Sequence, residues 1–159
     1  MAKIIQLSLD TLQVISYREI RDDSIITPIF VIEHHSVVSE ELLAELKNDY
    51  PHYDTYHNIG HDIYSEIHRH SDHEVRAIVK GTGNFYVPYN GSLYIAECST
   101  GDILKLTPNI DYWFSTYDEI FAIRLYSDND SHVSLQDKAS RIVHKAHHKI
   151  GSLGHNFSF

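Results

Sequence analysis

The chain has a single cysteine, Cys98, in 159 residues. No disulfide can form within it, so its stability must come from a packed core, and a reducing, cytoplasmic setting is the expectation that fits. Cys98 lies in the alternating run Ser92–Cys98, and no neighbour there would lower its pKa. It reads as a small core or rim residue, not as a reactive thiol. Positive charge is also scarce. Thirteen Lys and Arg stand against 22 Asp and Glu, a net charge of −9. That balance argues against nucleic acid and anionic membrane as main partners. No run approaches the ~18 apolar residues of a membrane-spanning helix. The stretch after Lys3 alternates and ends at Asp10, which is not the pattern of a signal peptide. No internal repeat and no low-complexity linker interrupts the chain.

What the chain has in excess is histidine and tyrosine, 13 and 11 residues. Tyrosine suits a pleated, half-buried surface, so the composition points to an all-β protein. A chain of this length reads as one domain, here residues 1–159. It is long enough to bury roughly 68–70% of its unfolded surface.

The local patterns agree. Ile4–Leu9 and Leu12–Tyr17 read as short strands around Asp10 and Thr11. Ile25–Glu33 is apolar and β-branched, but Pro28 demotes it to an edge or a bulged strand. Ser39 caps a helix over Ser39–Leu46, with Glu40 and Glu41 in its first turn and Pro51 as its stop. The stretch His52–His61 reads as loop. From Asp62 the pattern becomes strand and turn in regular alternation. Asp62–His70 and Glu74–Lys80 are strands, and Gly81–Gly83 is a turn. Asn84–Val87 and Ser92–Glu97 form a hairpin around Asn90-Gly91, and Ser99–Asp102 turns the chain again. Ile103–Leu106, Tyr112–Ser115 and Ile120–Tyr126 complete the series. Many short strands at such spacing predict a sandwich or a small barrel. The barrel core spans about residues 62–128, and a C-terminal helix follows at about 135–150.

One segment carries chemistry. His68 and His70 fall on one strand face because side chains alternate with period 2. Chance alone gives about one His-x-His in a chain so rich in histidine, so the pair by itself means little. Glu74 follows at an offset that completes a set of two His and one carboxylate, a group that binds Fe(II) or a similar divalent ion and leaves coordination positions open. Arg76 shares the face of Glu74, and Tyr112 shares a face with Phe114. Arginines directed into a barrel call for anions, since a buried unpaired charge is costly.

The pattern His68-x-His70-x3-Glu74-x6-Gly81 resembles the first block of cupins. Its extension through Val75, Arg76 and Gly81–Phe85 is similar, more narrowly, to acireductone dioxygenases. So are Gly101–Pro108, Trp113-Phe114 and Phe121–Tyr126. The resemblance covers about residues 62–128. It implies an all-β cupin fold, a double-stranded β-helix or jelly-roll barrel. It implies that His68, His70 and Glu74 hold one divalent metal ion, with Fe(II) first and Ni(II), Zn(II) or Mn(II) as alternatives. It also implies that Arg76 and Arg124 hold a small anionic or enediol substrate, that Phe114 and Tyr126 take part in its pocket, and that the substrate is oxidised with O₂. The chain departs from the family where the pattern has a fourth ligand, a His directly before Trp-Phe: it has Tyr112 there, Asn109 and Asp111 in place of a neighbouring His and Pro, and Pro108 one residue late.

Three roles are open to Tyr112: phenolate ligand, proton-transfer group beside a three-residue metal site, or filler in an altered site. Tyr112 or Asp111 is the expected base. Glu66, two residues before His68 on the same face, is a candidate to orient an imidazole. His57, His61 and His73 are possible replacement ligands. His144, His147 and His148 share a face of the predicted C-terminal helix, which reads as a solvated basic surface because Lys138, Arg141, Lys145 and Lys149 accompany them. The alternatives to a dioxygenase are a non-oxidative metal cupin doing isomerase, lyase or bond-forming chemistry, and a metal-free binding module. A homodimer is a further expectation.

Overall fold

The computed structural model describes residues 2–20, 25–26, 29–59, 63–64, 68–71, 73–127, 132–134 and 146. The elements in chain order are β1 (Ala2–Ser8), β2 (Val14–Ile20), β3 (Ile25–Ile26), β4 (Phe30–His34), α1 (Glu40–Asp49), β5 (His52–Ile59), β6 (Ile63–Tyr64), β7 (His68–His70), β8 (Glu74–Tyr89), β9 (Ser92–Ser99), β10 (Asp102–Leu106), β11 (Trp113–Thr116), β12 (Glu119–Tyr126) and β13 (His132–Ser134). The fold is all-β, as expected, with antiparallel strands curled into the two layers of a cupin barrel. One layer runs β2-β1-β9-β8-β11-β6. The other runs β3-β4-β10-β8-β12-β5.

Strand β8 belongs to both layers. Residues 74–81 pair with β12, and residues 82–89 pair with β9. The sequence reading of Gly81–Gly83 as a turn is therefore corrected: the chain bends there but does not reverse. Gly81 has φ +89°, and a Cβ on it would lie 1.9 Å from the Glu119 carbonyl oxygen. Only glycine fits that corner. The bend also exchanges faces. Before it, Ile78 points into the central core while Val75 and Ala77 face out; after it, Phe85 and Val87 point in and Tyr86 faces out.

His52–His61, read from sequence as loop, is mostly strand: β5 pairs with β12 from Ile59↔Glu119 to His52↔Tyr126. Its tyrosines and Thr55 suit a pleated edge, and the signal was masked by its histidines and acids. The barrel also starts earlier than residue 62, since β1, β2 and β4 are integral to its layers. The strand expected over Asp62–His70 is described only at β6 and β7. The expected helix at 135–150 lies outside the described residues apart from Ala146.

Among the described residues three apolar clusters hold the layers. The central one, between them, includes Ile4, Phe30, Ile32, Ile78, Phe85, Leu104 and Ile120. Cys98 is fully buried here, and burial pushes its thiol pKa well up, so it is a core residue. A second cluster backs the first layer, with Trp113 stacked on Tyr86 at 5.0 Å and 2°. The third backs the other layer, where α1 lays Leu46, Leu42 and Leu43 on Val75, Ala77, Ile103 and Leu125. Ser39 caps α1 as predicted, accepting from the Leu42 N–H at 3.1 Å.

Candidate active site

Between the layers lies a cavity of about 380 Å³, lined by Asp54, Thr55, Tyr56, His68, Arg76, Phe85, Tyr112, Phe114, Ala122 and Arg124. Alternation along β8, at β11 and along β12 delivers Arg76, Phe85, Tyr112, Phe114, Ala122 and Arg124. The inward positions of β12 carry Ile120, Ala122 and Arg124; Tyr112 and Phe114 come from the inward positions at β11.

The charged wall is a row of directly opposed residues. Asp54 on β5 faces Arg124 on β12, and Arg124 faces Arg76 on β8. Two like charges side by side across a ladder are unfavourable, and two carboxylates answer them. Glu74 is 1% exposed. Its Oε2 accepts from Arg76 Nη1 at 2.5 Å, and its Oε1 lies 4.0 Å from Arg124 Nη1. Asp54 takes Arg124 in a two-pronged pair, Nε to Oδ1 at 3.0 Å and Nη2 to Oδ2 at 2.5 Å. Burial alone would lower the Arg124 pKa. The Asp54 hydrogen bonds, with the fields of Glu74 and Asp54, outweigh it and raise the pKa, so the cation is secure.

Tyr112 completes the arrangement. It is 3% exposed, and its phenol oxygen accepts from Arg76 Nη2 at 3.0 Å. Its backbone bridges His68 through hydrogen bonds of 2.9 and 3.0 Å. This sets the Tyr112 ring 4.4 Å from the His68 ring and 5.7 Å from the His70 ring, centroid to centroid.

The expected metal ligands are neighbours. The His68 and His70 rings are 5.0 Å apart, and His70 Nδ1 lies 3.1 Å from Glu74 Oε1. Two adjacent ligands on an ion with bonds of about 2.1 Å are separated by about 3 Å, so the His70–Glu74 pair fits a divalent ion, and the nitrogen and oxygen donors suit one. In the arrangement seen here the set is not closed. Among the described residues no three His, Cys, Asp or Glu side chains converge to hold a metal ion. Glu74 also bonds Arg76 through Oε2, and the His68 ring packs on Tyr112.

The remaining candidates divide. Phe114 lines the cavity, with Tyr56 edge-on to it at 5.5 Å. Tyr126 stacks on His52 at 5.5 Å, and the Arg124 guanidinium lies 5.0 Å from the Tyr126 ring, so it supports Arg124 from outside the lining. Asp111 is not brought to the cavity. Asn109 turns the chain at φ +60°, and alternation points Asp111 away from Tyr112, where Arg69 binds it at 2.7 Å. Glu66 and His61 lie outside the described residues. His57 pairs with Glu119 at 3.5 Å, away from the lining, and His73 is exposed. Asp54, Thr55, Tyr56, Phe85 and Ala122 are lining residues that sequence reasoning missed. For β5 the available signal was the period-2 placing of Asp54 and Tyr56.

Residues 20–134 match the model of the ARD/ARD' family. The chain belongs to this family. It is 40% identical over 73 residues to an acireductone dioxygenase of Alcanivorax borkumensis, covering 45% of this chain and 40% of that protein. It is 47% identical over 47 residues to one from Aquifex aeolicus, covering 30% and 26%. The chain therefore matches less than half the length of these two family members. Among solved structures it is similar to an acireductone dioxygenase from Bacillus anthracis with a cadmium ion in its active center, at 23% identity and a TM-score of 0.44, covering 58% of this chain and 60% of that one.

Proposed function

We propose that this chain is a metal-dependent dioxygenase that oxidises a small anionic enediol, an acireductone, with O₂. The observation that carries the reading is the meeting of Arg76, Arg124, Tyr112 and the His68 ring on one cavity, in a chain of the ARD/ARD' family. His68, His70 and Glu74 would hold the ion, with Fe(II) favoured and Ni(II), Zn(II) or Mn(II) as alternatives. When bound, the ion supplies Lewis acidity and a redox route between substrate and O₂.

The chain's own residues supply the rest. Arg76 and Arg124 bind and orient the anion, since guanidinium forks match paired oxygens. Phe85, Phe114 and Ala122 form an apolar wall that excludes water and strengthens those contacts. Tyr56, whose pKa is raised by burial, stays a neutral phenol in the lining. Tyr112 would give a proton at its phenol oxygen and take one back as phenolate, with Arg76 holding that oxygen by a hydrogen bond. Asp111, bound by Arg69 away from the cavity, has no part in this reading. A cytoplasmic setting, supported by the lone buried Cys98, belongs to the same proposal, as does a homodimer.

The test is metal analysis of the purified chain, followed by O₂ uptake with an acireductone after reconstitution with Fe(II). Stoichiometric iron with O₂ uptake is expected. A tightly bound metal without O₂ uptake overturns the oxidative chemistry in favour of a non-oxidative metal cupin. Failure to retain any metal leaves a small-ligand binding module.

A further inference from the structure

Strand β5 carries a residue with no part in the reading above. Asp54 lies at the cavity's open side and directly opposite Arg124 across the ladder. Its carboxylate meets the Arg124 guanidinium with both oxygens, the geometry a small planar anion would adopt there. The pair is accessible: the Asp54 side chain is 50% exposed and that of Arg124 27%. Ion pairs so open to water are weakly held and exchange readily. Arg76, by contrast, is committed to Glu74 and Tyr112, deeper in the barrel.

The geometry points to Asp54 as an internal competitor for the anion site: its carboxylate occupies Arg124 until an incoming anion displaces it. This inference rests on the anion-binding reading of the cavity and deepens it. Three consequences follow. Arg124 is kept in its binding pose without substrate, because Asp54 supplies the counter-charge that Arg76, directly opposite, cannot. Ligands are selected by whether they offer Arg124 two coplanar oxygens, since a single-oxygen anion loses one of the bonds that Asp54 provides. Tyr56, two residues on and packed against Phe114, ties the β5 backbone to the apolar wall, so the Asp54 side chain can swing out without the strand leaving.

The experiment is calorimetric titration of the full chain with oxalate, a planar anion with paired oxygens, both as purified and after EDTA treatment. The variants are Asp54→Asn, Arg124→Gln and the double variant, each checked for an unchanged circular dichroism spectrum. Asp54→Asn is expected to bind oxalate about fivefold more tightly than the parent chain. Arg124→Gln is expected to weaken binding, and in its background Asp54→Asn is expected to have no effect. A role of Asp54 in structure alone would show instead as unchanged or weaker oxalate binding in Asp54→Asn, which overturns the proposal while leaving the anion site standing. Oxalate binding by none of these proteins, before or after EDTA treatment, overturns the anion-site reading itself, and the proposal with it.

Discussion

Arg76 and Arg124 stand directly opposite each other on β8 and β12, two permanent cations on one wall of the cavity. The fold tolerates them because Glu74 reaches Arg76 at 2.5 Å and approaches Arg124 at 4.0 Å, while Asp54 takes the outer side of Arg124. The cluster thus pairs two arginines with two carboxylates, and removing either carboxylate leaves a cation to be answered by something else. Under the proposed function, an anionic substrate is what would answer it.

Glu74 holds this cluster together, and Glu74→Ala removes a buried carboxylate from beneath both guanidiniums. Breaking a buried pair from one side costs about 3–5 kcal/mol. The expected outcome of thermal unfolding is a Tm lower by about 10 °C. Adding Arg76→Leu to Glu74→Ala should recover part of that loss, because the uncompensated cation goes with it. If the double variant is no more stable than the single one, the pairing is not what Glu74 contributes.

The resemblance read from the sequence sets Tyr112 at the position of a fourth ligand, and Tyr112→Phe separates its possible roles. Loss of the hydrogen bond from Arg76 costs about 1–3 kcal/mol. Under the proposed function, turnover falls about 100-fold or more as the proton-transfer group is lost, with metal content unchanged. A fall in metal content instead would make Tyr112 a ligand. Unchanged turnover would remove it from the mechanism. Tyr112→His should increase metal retention, measured as metal per chain after dialysis.

The glycine corners give a graded stability series. Gly81→Ala and Gly101→Ala place a Cβ 1.9 Å from the Glu119 carbonyl oxygen and 1.8 Å from that of His35, both at positive φ. Gly91→Ala also has positive φ but meets nothing within 4 Å. Denaturant unfolding should show about 1 kcal/mol lost at Gly91, the cost of backbone conformation alone, and at least twice that at the two crowded positions. Equal losses at all three would mean that the barrel corner relaxes around the added methyl.

Tyr17 on β2 provides a pH handle far from the cavity. Burial, the hydrogen bond to Glu19 at 3.0 Å and the charges of Glu19 and Glu97 push its pKa to about 12 from 10.0. The folded state therefore keeps the proton after the unfolded chain has lost it. The stabilisation is complete below about pH 10 and is lost progressively between about pH 10 and 12. Tyr17→Phe should flatten the loss of stability across that window, and phenolate absorbance of the parent chain should show one late-titrating tyrosine that the variant lacks. Identical stability profiles for parent and variant would sink the assignment.

Much of this architecture was legible in the residues. Alternation alone put Glu74, Arg76 and Ile78 on one face, and Tyr112 with Phe114 on another, because a strand's period is fixed by backbone geometry. Asn90-Gly91 marked its hairpin through the positive φ that such turns require, observed at +48° and +75°. Ser39 marked its helix through the hydrogen bond that it accepts. These are local properties, determined within a few residues of chain. The tertiary structure decided which distant charges meet. Asp54 reaches Arg124 across 70 positions of sequence, and Arg69 draws Asp111 away across 42. Gly81 carries β8 from one layer to the other only because the Glu119 carbonyl lies against it. Those partners are set by strand register across the sheets, and register depends on how the whole barrel closes, not on any one segment.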